Sequence, residues 1–208
     1  MIYDEAIKIL NKNDKLIPFF IAMKAEAAMQ LSKRSTNKDD AIQYKEQAQK
    51  LWNVLDKDYS GDVFRQDSLL ARAALASDHY KSDESIKAHN ELKNYLSSLN
   101  ENSTVQEKTL SSVMCSQVAE HSFLVNDFKA TVEYYKLYSV LGPTSFPMKA
   151  NAYFRIARTA ELLTKDKNTA IEYYRKFYNE CNANEKSYFA KKKAEELSGK
   201  PLESGEKN

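Results

Sequence analysis

Five times along this chain a short acidic turn runs into a small residue followed by an aliphatic or β-branched one, and an amphipathic helix pattern begins there. The five are Asp4-Glu5-Ala6-Ile7, Asp39-Asp40-Ala41-Ile42, Asp83-Glu84-Ser85-Ile86, Asp127-Phe128-Lys129-Ala130-Thr131 and Asp166-Lys167-Asn168-Thr169-Ala170-Ile171. Measured on the small residue (6, 41, 85, 130 and 170), the spacings are 35, 44, 45 and 40. A self-similar period of this length is the mark of helical hairpins stacked side by side, each burying an apolar face against its neighbours.

Turn chemistry agrees. Four glycines and four prolines in 208 residues are too few to punctuate a sheet protein of many short strands. Ala, Lys, Glu and Leu, all good helix formers, recur throughout. The chain therefore reads as all-α. Lysine and arginine (31) barely outnumber aspartate and glutamate (29), and the charges are interspersed. That argues against a general nucleic-acid or anionic-membrane surface, which needs a concentrated basic footprint. The one cluster, Lys191-Lys192-Lys193, reads as the solvated face of a last helix. No window approaches ~18 consecutive apolar residues, and no basic-then-apolar leader opens the chain.

Apolar periodicity lays out about ten helices over residues 1–198. Tyr3 to Leu10 reads as the second helix of a hairpin whose first helix should precede it, so the chain is expected to be a piece of a longer one. Leu16, Phe19, Phe20, Met23, Ala27 and Leu31 mark the next helix. It also carries Ala22, Ala25 and Met29 on its other side and should be buried all round. A third helix begins at Asp39 or Asp40 and ends at Asp58-Tyr59-Ser60-Gly61. Val63 to Tyr80 gives a fourth helix and Ser82 or Asp83 to Leu99 a fifth. The polar stretch from Asn100 to Thr104 precedes a sixth with Leu110, Val113, Met114, Val118 and His121 inward. The seventh runs from Asp127 to Leu141, where Gly142-Pro143 stops it. Ala152, Ile156, Ala160 and Leu163 mark the eighth, Ile171, Tyr174, Phe177 and Tyr178 the ninth, and Phe189, Ala190, Ala194 and Leu197 a charged capping helix. Residues 199–208 read as a disordered tail. The clearest internal match sets Val132-Glu133-Tyr134-Tyr135-Lys136 against Ile171-Glu172-Tyr173-Tyr174-Arg175, one period later.

These residues resemble the tetratricopeptide repeat (TPR) family, whose second helix typically opens Tyr-Asp-x-Ala-Ile and reaches an aromatic residue four positions after the alanine. Tyr3 to Ile7 fit the opening, with Leu10 at the aromatic position, Ala170-Ile171 to Tyr174 fit the continuation, and Tyr153, Ile156, Ala157 and Ala160 approximate the first-helix series. The proline that closes each repeat is missing, and most spacings exceed the family's period of about 34 residues. The chain is therefore similar to a long-helix variant, of the kind found in bacterial envelope assembly and accessory proteins. The resemblance implies a right-handed superhelical stack of antiparallel helix pairs. It also implies a noncatalytic scaffold that binds a protein or peptide in a concave groove lined by first helices. Some TPR co-chaperones hold a C-terminal carboxylate with polar first-helix residues. Ala22, Ala25 and Met29 stand where such ligands would be sought, so no clamp of that kind is expected.

The residues offer little chemistry of their own. His79, His89 and His121 lie on separate helices without metal-ligand spacing, and no catalytic, metal or cofactor site is expected. Cys115 and Cys181 read as plain helix residues. In the groove, Arg65, Ser68 and Arg72 form one stripe and Asn151, Arg155 and Arg158 another, with Ser112, Ser116 and Ala119 as a shallow floor between them. Arginines flanking small residues suit an acidic peptide; solvation of an outer face is the competing reading. Tyr134 and Tyr173 are candidates for an outward aromatic ladder, against inter-repeat packing. The alternative function is a structural segment of a larger assembly, contacting neighbouring repeats or a second copy of itself. The chain is expected to be soluble. Its place would be cytoplasmic if the chain is complete, and periplasmic or membrane-associated if it belongs to an anchored parent.

Overall fold

Capping side chains mark where several of the helices begin. In the computed structural model, which describes residues 2–10, 14, 16–59, 64–99, 105–141 and 146–202, ten α-helices succeed one another in chain order and no strand occurs among the described residues. They are α1 (Ile2–Ile9), α2 (Ile17–Arg34), α3 (Lys38–Asp58), α4 (Arg65–Ala76), α5 (Asp83–Ser98), α6 (Val105–Leu124), α7 (Phe128–Leu141), α8 (Phe146–Thr159), α9 (Lys167–Glu180) and α10 (Ser187–Ser198). The acidic turns act in two ways. Asp127 and Asp166 are true N-caps, accepting the amides of Ala130 (3.2 Å) and Thr169 (3.0 Å). At α3 and α5 the cap is Asn37 or Ser82, and the aspartates sit in the first turn, where they complement the helix dipole. The stops expected at Gly142-Pro143 and Asn100–Thr104 lie outside the described residues.

The chain divides into two compact units, Met1–Asn94 and Tyr95–Asn208. In the first, α2 packs along α3, and α4 packs on α3. Ile17, Ile21, Ala25, Ala28 and Met29 of α2 meet Ala48, Trp52 and Leu55 of α3 and Ala71 and Leu75 of α4. Trp52 donates its indole N–H to the Met29 sulfur at 3.3 Å, which satisfies the one polar atom of a buried ring. The buried side of α2 is thus the alanine-rich one. Leu16, Phe19 and Leu31, expected in the core, are exposed instead. Alanines let the α3 backbone approach where larger side chains would hold it off.

In the second unit, Cys115 and Ala119 of α6, Val132, Tyr135 and Tyr138 of α7, Ala152 and Ile156 of α8, Tyr174 and Phe177 of α9 and Ala190 and Ala194 of α10 form one core. Its two helical hairpins share a turn design. Asn126 (φ 64°) and Lys165 (φ 57°) occupy the left-handed region at the end of α6 and of the α8 segment, each just before the capping aspartate. The step from position 126 to 165 equals the step from Tyr135 to Tyr174, so the turns obey the same period as the tyrosine motifs. A left-handed conformation costs an L-residue with a long side chain ~1–2 kcal/mol. Asparagine tolerates it better than lysine. Lys165→Gly is therefore expected to raise the unfolding free energy by about 1 kcal/mol, and Asn126→Gly by less. Urea unfolding midpoints check this, and a destabilised Lys165→Gly would refute it.

Helix α8 continues through a wider π-helical turn, Ala160–Thr164. The wider turn rotates the side chains beyond it relative to an α-helical continuation. Leu163, expected on the buried stripe with Ala160, is carried outward and exposed. At the other end of this unit, Gly199 takes a left-handed φ of 69° and closes α10, its amide bonding Glu195 O at 2.8 Å. Of the expected tail, residues 199–202 are described, and Leu202 returns to α10. Its amide donates to Glu195 Oε1 at 3.2 Å, and its side chain packs on the core. Residues 203–208 lie outside the described residues.

Candidate functional site

Two polar clusters of the same design sit on the first helices of the second unit. In the first, Tyr135 of α7 donates its hydroxyl to Glu120 of α6 at 2.5 Å, and Arg155 of α8 reaches the same carboxylate at 2.7 Å. Arg155 Nη1 also donates to the Tyr135 hydroxyl at 2.8 Å, and its guanidinium lies over that ring. In the second, Tyr174 of α9 donates to Glu161, in the π-helical turn, at 2.6 Å. Lys193 of α10 reaches Glu161 at 3.2 Å and Arg158 reaches it at 3.3 Å, with the Arg158 guanidinium over Phe189. Each hairpin therefore presents a glutamate from its first helix to a tyrosine of its own second helix and to a cation of the next helix along.

The electrostatics result from burial and pairing. Burial, reinforced by the glutamate acceptor, raises the Tyr135 and Tyr174 hydroxyls, which stay protonated donors. Burial alone would raise the Glu161 carboxyl. Hydrogen bonds from Tyr174 and Lys193, with the charges of Lys193 and Arg158, outweigh it and hold the group below its ordinary range. A carboxyl lowered in the folded state contributes stability that is fully present above its unfolded value. That stability is lost as pH falls through the folded one. The wild type is therefore expected to lose more stability between about pH 5 and pH 3 than Glu161→Gln does. Urea titrations at fixed pH steps test this, and parallel curves for the two proteins would refute it.

The arginine and serine candidates divide. Arg155 and Arg158 are partly exposed on one face of α8, with Asn151 exposed one turn earlier. Arg72 is only 13% exposed, held between Asp56 Oδ2 (2.7 Å) and Glu91 Oε2 (2.8 Å). Ser68 is fully buried, its hydroxyl donating to the Trp52 carbonyl at 2.9 Å, so it offers nothing to a surface partner. Arg65 opens α4, and its side chain lies outside the described residues. Of the expected floor, Ser112 and Ala119 are buried and Ser116 is partly buried, because the small side of α6 is the one that packs. Val113, expected in the core, is exposed instead.

The aromatic ladder is not outward. Tyr173 is buried, edge-on to Tyr153 at 5.7 Å, with the ammonium groups of Lys136 and Lys176 over its ring. Tyr134 is half-buried against the core. Successive residues on a helix point ~100° apart, and both rings of a pair are covered where neighbouring helices flank the helix on two sides.

Burial pushes the Cys115 thiol up to about 12, so it is not a ready nucleophile. Buried His89 places Nδ1 2.7 Å from the Ser85 carbonyl oxygen. Among the described residues no group of three or more His, Cys, Asp or Glu is placed to hold a metal ion, and no helix is long and apolar enough to cross a membrane. The lysine run is paired: Lys191 and Lys192 lie near Glu195, and Lys193 bridges Glu161 and Glu196.

The residues that organise the face, Glu120, Glu161 and Lys193, carry no sequence signal that separates them from solvated helix charges. Only the repeated Tyr-Tyr motif hinted at them, through Tyr135 and Tyr174. No protein-family model, curated protein or solved structure matches the chain.

Proposed function

We propose that the chain is a noncatalytic scaffold of TPR-like helical hairpins, stacked as a right-handed superhelix, that holds a segment of another protein on the first-helix face of its second unit. The observation that carries this reading is the pair of guanidiniums of Arg155 and Arg158. They lie one turn apart on α8, each laid over an aromatic ring and each still partly exposed. Ring stacking and one carboxylate apiece fix their positions, so little side-chain entropy remains to be lost on binding.

The test is capture from the native lysate on immobilised chain and on an Arg155→Ala/Arg158→Ala variant, with bound proteins identified by mass spectrometry. Glu120 is half-exposed, and Tyr174 and Lys193 still satisfy Glu161, so the variant should keep its helicity by circular dichroism. A partner held by the wild type and lost by the variant supports the reading, and its affinity gap should widen as salt is lowered. Identical recovery by both forms refutes it.

A second reading, a structural segment of a larger assembly, is favoured by Ile9, Leu16 and Phe19. These are left exposed where α1 ends and α2 begins, with Phe64 beside Phe19.

A further inference from the structure

The exposed apolar residues of α6 and α8 are placed with the charges in a definite order. On α6, Val113, Gln117, Glu120 and Leu124 fall at i, i+4, i+7 and i+11, one stripe of the helix. On α8, Met148, Asn151, Arg155 and Arg158 fall on one stripe likewise, and Leu162 is exposed in the π-helical turn that follows. Helix α7 packs on both α6 and α8 and is separated from each by only a few positions, which makes neighbours antiparallel. The two first helices therefore run in the same direction. The Glu120–Arg155 ion pair fixes their register. Val113 lies two turns before Glu120 and Met148 two turns before Arg155, so both mark the same end of the face. Leu124, one turn past Glu120, and Leu162, two turns past Arg155, lie toward the other end. All four are between 43% and 48% exposed. The face is a charged centre bracketed by two apolar ends.

We infer that this face takes an amphipathic helix of a partner protein, with apolar side chains three to four turns apart and acidic residues between them. The inference rests on the scaffold reading above and names its partner. From Val113 to Leu124 on α6 the rise is ~16 Å and from Met148 to Leu162 on α8 it is ~21 Å, so two apolar anchors on a docked helix need a separation of about three to four helical turns to reach both ends. In the centre, a guanidinium has five N–H donors and a single carboxylate engages two of them. The partly exposed heads of Arg155 and Arg158 thus keep donors for a second carboxylate each. Glu161 also pairs with Lys193 at 3.2 Å, so Arg158 shares its counter-ion with a second cation. Acidic residues at i and i+3 or i+4 of a helix match two arginines one turn apart on α8. A basic centre would be repelled, and an extended strand would not repeat its side chains at this spacing.

The test is selection from a displayed library of helical peptides about 18 residues long, five turns, against the full chain, followed by fluorescence anisotropy with the enriched peptides. The expected result is enrichment of sequences with apolar residues near both ends and Asp or Glu between. Affinity should fall at least tenfold for Val113→Asp/Met148→Asp and for Arg155→Ala/Arg158→Ala, and only the arginine variant should lose salt dependence. Both pairs are partly exposed, so circular dichroism should stay at wild-type values and the loss of stability should not exceed the ~1 kcal/mol typical of a surface ion pair. Enrichment of basic or proline-rich extended sequences, an empty selection, or binders indifferent to both variants overturns the inference. If the lysate yields a partner that depends on Arg155 and Arg158 while selection returns extended or basic peptides, the helical-partner inference alone fails. If neither experiment depends on those arginines, the scaffold reading falls with it.

Discussion

Phe177→Ala should lower the unfolding free energy by about 3–5 kcal/mol, the range for removing a large aromatic side chain from a closed core. Phe177 is 1% exposed on α9 and packs its ring 5.6 Å from that of Phe154 on α8, which in turn meets Phe189 of α10 at 5.9 Å. Truncation opens a cavity where three helices meet. Backbone collapse can fill little of it, because the Tyr174–Glu161–Lys193 hydrogen bonds and ion pairs hold the same three helices apart. Urea unfolding should show a midpoint shift with little change in slope. A loss under ~1 kcal/mol would mean that the site repacks and that this aromatic cluster is not a closed core. Ile171, on the same helix but half-buried, should lose clearly less when truncated. The pair therefore tests packing and not helix propensity.

The acidic-turn repeat in the sequence located the helices because capping and amphipathicity are local. A carboxylate at Asp127 or Asp166 meets the amides of its own helix whatever the rest of the chain does. The periodic match of Tyr135 with Tyr174 survives as matched hydrogen bonds to Glu120 and Glu161. Which side of a helix is buried is not local. Helix α2 carries apolar residues almost all round, and the choice of Ala25 and Ala28 over Phe19 and Leu31 depends on how closely α3 can approach. The π-helical turn at Ala160–Thr164 is likewise invisible to a fixed α-helical period, and it turned Leu163 outward. The arginine stripes illustrate the same limit at the site. Arg72 and Arg155 look alike in sequence, each an arginine beside an alanine-rich apolar stripe. Only the placement of acids on other helices separates a buried structural cation from an exposed one.

Arg72→Met is expected to cost about 2 kcal/mol, since methionine keeps the aliphatic stem while removing the guanidinium. Asp56 and Glu91 would then face each other's charge without the cation that now contacts both, at 2.7 and 2.8 Å. Each of these carboxylates is roughly a third exposed, so water relieves part of the penalty, and the loss should fall short of that for a fully buried pair. The sign of a second experiment separates this account from a simple loss of packing. Adding Asp56→Asn and Glu91→Gln to Arg72→Met removes the uncompensated charges at nearly unchanged volume, and should recover most of the lost stability. A triple variant as unstable as the single one would show that the stem contacts, not the ion pairs, held α3, α4 and α5 together. An Arg72→Met protein within about 0.5 kcal/mol of wild type, the range for ordinary surface substitutions, would return Arg72 to the groove candidates. Peptide binding should separate the two arginine stripes. Substitution at Arg155 and Arg158 should act chiefly on affinity, with a small loss of stability, and substitution at Arg72 on stability at constant intrinsic affinity.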